Sequence, residues 1–191
     1  MGPETEDEEL MCRAREGDVD AFSELFRRHR PRVVNFLFRL SWDRERAEDG
    51  AQDVFIKLWM ARRRYRPSAR FTTFLYRVAH NHWVDEVRKR SARPGEQQLD
   101  DETSSGSQCH PLLAPSSADP EHELFVRYRQ RQIQGAISTL PVIYRTVFIL
   151  NHLENRKLAE IAEILEIPEG TVKSRLHTAV RMLRDTLSGV I

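Results

Sequence analysis

Only two cysteines, Cys12 and Cys109, occur in this chain, far apart, and Cys109 stands in a polar stretch. That leaves no basis for a disulfide framework, and reduced thiols suit a cytosolic protein. Long apolar runs are missing too, and the runs present are too short to span a bilayer. The opening stretch, Met1 to Glu9, is acidic rather than basic and then apolar, unlike a secretory signal. No glycine-rich loop of the kind that cradles phosphates occurs, so nothing supports nucleotide hydrolysis. The histidines His29, His122, His152 and His177 are scattered with no nucleophile beside them. Cys109-His110 and His80-Asn81-His82 bring no four converging metal ligands together, so no metal or cofactor is expected. Alternating strand patterns are also lacking. A large charge of one sign is missing as well: the formal net charge is +1. A nucleic-acid binder would then have to rely on how its charges are distributed.

What is present is helical. Apolar residues make up 40 % and charged residues 31 % of the 191, which suits small helical domains with wet faces. Leu10, Met11 and Ala14 start an amphipathic turn that Gly17 can end. Asp18 or Asp20 can cap the next helix, which carries Phe22, Leu25 and Phe26. Pro31 falls where that helix must bend or restart, and Val33, Val34, Phe36, Leu37 and Leu40 continue its apolar face. Asp43 caps a third helix bearing Ala47, Ala51, Val54, Phe55, Leu58 and Trp59, and a fourth runs from about Phe71 to Arg90. From Pro94 to about Asp119 the periodicity stops; prolines, glycines and serines dominate, and every residue ionised at neutral pH is acidic, including Glu96, Asp100, Asp101 and Glu102. Asp119-Pro120-Glu121 is a helix start, leading through Leu124, Phe125, Ile133, Ala136 and Ile137. Pro141 begins another helix, with Val142, Val147, Phe148 and Leu150 inward.

Two short helices finish the chain. Leu158, Ile161, Ala162 and Leu165 line one face of the first, about Lys157 to Leu165. Val172, Leu176, Ala179 and Leu183 line the second, about Glu169 to Leu187. The tight turn Glu166-Ile167-Pro168 makes them cross steeply, as in a helix-turn-helix. The other face of the second helix carries Thr171, Lys173, Ser174, Arg175, Thr178 and Arg181, donors for phosphates and base edges. A plain hairpin with a solvated basic face would present the same pattern. A second basic strip runs from Arg62 through Arg63, Arg64, Tyr65, Arg66 and Arg70 to Arg77, Arg88, Lys89, Arg90 and Arg93, with Asp85 and Glu86 its only acids. Cations there can bind phosphate and aromatic rings can stack unpaired bases, with His80 and Asn81 as exposed polar candidates.

Five segments carry a resemblance. They are Arg15-Glu16-Gly17-Asp18-Val19-Asp20-Ala21-Phe22, Glu48-Asp49-Gly50-Ala51-Gln52-Asp53-Val54-Phe55, Phe74-Leu75-Tyr76-Arg77-Val78-Ala79-His80-Asn81, Leu140-Pro141-Val142-Ile143-Tyr144-Arg145 and Glu169-Gly170-Thr171-Val172-Lys173-Ser174-Arg175-Leu176. In this order they resemble the extracytoplasmic-function (ECF) sigma factors, group IV of the sigma-70 family. The resemblance implies an all-α protein of two small domains, region 2 over 7–93 and region 4 over 120–191, joined by an acidic flexible linker over 94–119. It implies a transcription initiation factor, not an enzyme, acting in the cytoplasm. Its implied partners are core RNA polymerase, promoter DNA and an anti-sigma factor, soluble or membrane-anchored.

The resemblance also implies roles. The helix with Asp49, Gln52, Asp53, Phe55 and Trp59 would dock on the polymerase. Tyr65, Arg66, Arg70, Arg77, His80 and Asn81 would bind the single-stranded minus-ten element, the stretch from Tyr65 to Arg70 capturing a flipped base. Thr171, Lys173, Ser174, Arg175, Thr178 and Arg181 would read the minus-thirty-five duplex. The linker would act as a polyanion in a nucleic-acid channel or as an inert spacer. The chain departs from the family where Glu154-Asn155-Arg156-Lys157 replaces the usual Glu-Gly-Leu-Ser, so Asn155 caps the next helix or takes the left-handed conformation of a glycine. Phe74 stands where tryptophan is common, and Gly50 falls inside a helix at a cost of about 1 kcal/mol against alanine. Set against this reading are an autonomous helix-turn-helix regulator, a helical adaptor whose arginine strip binds an acidic protein partner or RNA, and an enzyme, for which no catalytic constellation is seen.

Overall fold

A computed structural model describes residues 6–66, 70–92 and 120–188, with side chains for all of these but 120–127 and 130. The acidic stretch 94–119 with Cys109 and His110, the cap Asp119, residues 67–69 of the basic loop, Arg93 and the side chains of His122, Leu124 and Phe125 lie outside the described residues. Eight α-helices and no strand occur among the described residues: α1 Asp7–Arg15, α2 Val19–Ser41, α3 Arg44–Ala61, α4 Phe71–Ser91, α5 Pro120–Thr139, α6 Val142–Phe148, α7 Leu158–Leu165 and α8 Glu169–Ser188. A 3₁₀ turn, Arg62–Arg64, extends α3, and a π turn, Ile149–Leu153, extends α6.

Local chemistry sets the boundaries. Gly17 at φ +106° turns the chain after α1, a conformation that suits a residue without Cβ. Asp18, not Asp20, caps α2 by accepting the Ala21 amide, and Asp43 caps α3 by accepting that of Arg46. Pro31 neither ends nor restarts α2, which runs through it without a break. Trp42, left-handed at φ 57°, stops α2 and leans edge-on against Phe38. Arg70 gives α4 no side-chain cap; Glu8 of α1 accepts the Phe71 amide instead. Asn155 takes the left-handed conformation, φ 53°, and the Glu160 carboxylate accepts the Lys157 amide to start α7.

Helices α1 to α4 pack around Met11, Leu25, Phe36, Leu40, Leu58, Phe71 and Leu75, all fully buried. Gly50 lies where α3 presses on its neighbours: a Cβ there would meet His82 Nε2 and Leu37 Cδ1 at 3.1 Å. A side chain at this crossing would press on both neighbours. A smaller cluster, Ala136, Ile137, Leu140, Ala179 and Leu183, joins α5 to α8, while Ile133 points outward, 45 % exposed.

The two helical groups also touch. Ile149, Leu150, Ile161 and Ile164 continue the first core, and Trp42 packs on the α5–α8 cluster. Arg145 reaches back to cap α2, donating to the Leu40 carbonyl at 2.8 Å, where the helix dipole favours a cation.

Candidate nucleic-acid interface and docking face

On α3, Asp49, Gln52 and Asp53 share one helical face by their spacing, and Gln52 and Asp53 are exposed on it. Phe55 differs from expectation: it is buried, edge-on to Phe22 and Phe26, and so supports the face from beneath. Trp59 is half-buried against Phe22, with the Arg62 guanidinium 4.0 Å over its ring. Sequence reasoning missed Ile56 and Met60, 61 % and 76 % exposed on the same helix, and Val19, 61 % exposed. The signal was there: 49, 52, 53, 56 and 60 follow one helical stripe. Val19, Phe22, Phe26, Ile56 and Trp59 line a groove of about 580 Å³ edged by Gln52 and Arg30. Exposed apolar side chains around such a groove suit contact with an apolar partner or ligand.

The basic strip is divided by burial. Arg66, Arg70 and Asn81 are exposed. Tyr65, expected to face a strand, is 2 % exposed, with its ring 5.6 Å from that of Phe74. Burial pushes its phenol up to about 12. In this arrangement Tyr65 is a floor beneath the strip and cannot stack a base. His80, expected to be exposed, is half-buried; desolvation, then the nearby Arg175 charge, pulls its imidazole down to about 4 and keeps it neutral. Arg77 donates to the Glu163 carbonyl at 2.8 Å and lies 3.5 Å from the Glu166 carboxylate, and Arg70 pairs with Glu160 at 3.0 Å. Sequence reasoning missed these partners on α7 and at its C-cap, which lie some ninety residues away in the chain.

In the C-terminal pair, Glu166 at φ 55° ends α7 in the left-handed conformation and Ile167 bonds back to the Ala162 carbonyl. The chain thus turns within Glu166-Ile167-Pro168 and enters α8. Val172, Ala179 and Leu183 are buried and Leu176 packs on the core. Lys173, Ser174 and Arg181 are exposed; Thr171, Arg175 and Thr178 are half-buried at the edge of the same face. Ser174 Oγ donates to the Thr171 carbonyl within the helix. The N-terminal half of α8 thus offers cations and hydroxyls on a rigid helix, the geometry by which a recognition helix enters a major groove.

Two family models match the chain. The family model described as Sigma-70 region 2 matches residues 25–93, and that described as Sigma-70, region 4 matches residues 130–183. The ECF RNA polymerase sigma factor SigW of Bacillus subtilis is 32 % identical over 175 residues, 91 % of this chain and 92 % of that protein. The RNA polymerase sigma-H factor of Pseudomonas aeruginosa is 28 % identical over 179 residues, 94 % and 92 % of the two chains. Among solved structures, RpoE of Bartonella quintana, in complex with the anti-sigma factor NepR, superposes with a TM-score of 0.69 at 22 % identity, over 89 % of this chain and 98 % of that one. CnrH, in complex with the cytosolic domain of CnrY, gives 0.68 at 19 % identity, over 96 % and 97 %. At these identities the structural likeness speaks to the fold, while the sequence matches carry the family. With both regions matched in order along one all-helical chain, the protein belongs to the extracytoplasmic-function RNA polymerase sigma factors.

Proposed function

We propose that this chain is a promoter-specificity subunit that docks on core RNA polymerase through α3, reads the minus-thirty-five duplex with α8 and holds the separated minus-ten strand along Arg66, Arg70, Arg77 and Asn81. The observation that supports it most is the pairing, in one chain, of a region 2 match bearing an exposed acidic and apolar stripe on α3 with a region 4 match bearing an exposed cationic face on α8. In this reading residues 7–93 form the docking and strand-binding domain, 120–191 the duplex-reading domain, and 94–119 an acidic tether. Phe55 and Tyr65 serve as supports, and Ile56 and Met60 join Asp49, Gln52, Asp53 and Trp59 in the docking face. The chain has no catalysis of its own in this scheme: captured unstacked bases offset the cost of unpairing. It works in the cytoplasm, where polymerase and promoter are; no helix among the described residues is long and apolar enough to cross a membrane. An anti-sigma factor, soluble or membrane-anchored, is the third partner; the apolar groove beside α3 suits a helix from such a protein.

Asp53→Arg tests the docking face. Asp53 is exposed, so reversing its charge leaves the fold intact while placing a cation on the stripe. Affinity for core enzyme in a pull-down titration should fall, with the thermal melt unchanged. Unaltered affinity would remove α3 from the docking face.

A further inference from the structure

Helix α1 touches the basic loop where it leaves α3 and again where it enters α4. It packs on the Arg62–Arg64 turn. Tyr65, next in the chain, is buried with its ring near that of Phe74, and the Glu8 charge acts on its phenol. At the other end the Glu8 carboxylate accepts the Phe71 amide at 3.0 Å. Asp7 stands beside it. Arg28 donates to one Asp7 oxygen at 3.1 Å, and His29 Nε2 lies 2.6 Å from the other. The His29 ring meets the Phe71 ring edge-on, 5.0 Å between centres.

These contacts converge on the peptide that joins Arg70 to Phe71. Its carbonyl accepts the Thr73 and Phe74 amides of the first turn of α4. Its amide, which has no acceptor inside the helix, is taken by Glu8. A peptide unit is planar, so holding both its ends fixes the plane from which the Arg70 side chain departs. Arg70 gives α4 no side-chain cap, and its guanidinium is exposed. A recognition group at the end of a long side chain works only when its root is held to within about 0.5 Å.

We propose that Glu8 is a positioning residue for the minus-ten strand: by holding the Phe71 amide it sets the backbone of Arg70 and so the direction from which Arg70 meets the DNA. The proposal rests on the strand-binding reading above. Asp7, through Arg28 and His29, anchors the turn of α1 that carries Glu8.

The test is run-off transcription by the reconstituted holoenzyme on templates that differ at single bases of the downstream element. The ratio of the preferred template to the others is measured for each variant. Glu8→Gln keeps an oxygen at the same reach without the charge, whereas Glu8→Asp keeps the charge on an arm one methylene shorter. The ratio should fall about fivefold for Glu8→Asp, the worth of one hydrogen bond, and stay at the wild-type value for Glu8→Gln. Asp43→Ala removes a comparable cap from the start of α3, at the opposite end of that helix from the loop, and should leave the ratio unchanged. Equal ratios for the two Glu8 variants, or an equal fall for Asp43→Ala, would overturn the positioning role. Arg66→Ala with Arg70→Ala separates the two ideas. A lost downstream preference there, with equal Glu8 variants, would sink the positioning role alone. An unchanged preference there would overturn the strand reading and the positioning role with it.

Discussion

Gly50 and Arg175 show how a single position acquires its role. At Gly50 a methyl group would sit 3.1 Å from two buried side chains, His82 and Leu37, closer than ordinary contact. Gly135, on an exposed face of α5, has open space around its Cα. Alanine at Gly135 should stabilise the chain by about 0.5–1 kcal/mol through helix propensity, whereas at Gly50 overpacking of about 1–3 kcal/mol outweighs that gain. Urea melts check the pair, and a gain at both positions would contradict the close packing. Arg175 carries the fork that can pair with guanine, while Lys173 is a point charge suited to phosphate. Arg175→Ala should cost about 1–3 kcal/mol and relax selection at one upstream base, and Lys173→Ala should weaken binding evenly and flatten its salt dependence. Upstream-element selection by the reconstituted holoenzyme measures both; unchanged selection and salt response in the two variants would remove α8 as the reader. The inward residues Val172, Ala179 and Leu183 were legible from spacing alone. Tyr65 and His80 were not. A tyrosine among arginines reads as a stacking platform, and only packing against Phe74 and the Arg175 side of α8 reveals that both are covered.

Elements were legible where their ends are chemically marked. Asp18, Gly17 and Asp43 announce the starts and stops of α1, α2 and α3, and the structure uses each of them. Pro31 does not restart the helix: a proline lacks one amide, and a long helix with a well-packed face tolerates that loss. The start of α4 at Phe71 was legible from its apolar spacing, but the group that satisfies its first amide was not: Glu8 lies 63 residues away. The segment before α7 was the least regular in sequence, and Asn155 resolves it by adopting the left-handed conformation. Glycine occupies that region freely and a β-branched residue does not. Asn155→Gly should therefore leave the thermal midpoint unchanged or raise it, and Asn155→Val should lower stability by about 1–2 kcal/mol. Equal midpoints for the two variants would mean that the turn is not held in this conformation.

At the scale of the molecule, the division into helical group, acidic stretch and helical group could be read from periodicity and composition, but the contact between the groups could not. Arg39 with Glu154 and Arg70 with Glu160 join residues about a hundred positions apart, and no local pattern encodes such pairs. The same packing gives stability a pH dependence. Burial holds His29, His80 and His82 below the ordinary imidazole range, His80 down to about 4. Unfolded imidazoles titrate near about 6.5, so below that pH the unfolded chain binds more protons than the folded one. Stability is complete above that value and is lost as pH falls towards 4. Glu24, held at about 2 by Arg27 and Arg28, adds its loss only below the ordinary carboxylate range. The urea midpoint should drop between pH 7 and pH 5, and His80→Gln should drop less; an equal drop would contradict the burial of His80. The central claim, that this chain gives core polymerase its choice of promoter, is tested most directly by run-off transcription on a promoter library, with core enzyme alone and with core enzyme plus the chain. A small set of promoters should be transcribed only when the chain is present, sharing an upstream and a downstream element, with the isolated chain binding the same duplexes weakly at physiological salt. Transcripts no different from core enzyme alone, or tight specific duplex binding by the chain without polymerase, would contradict it.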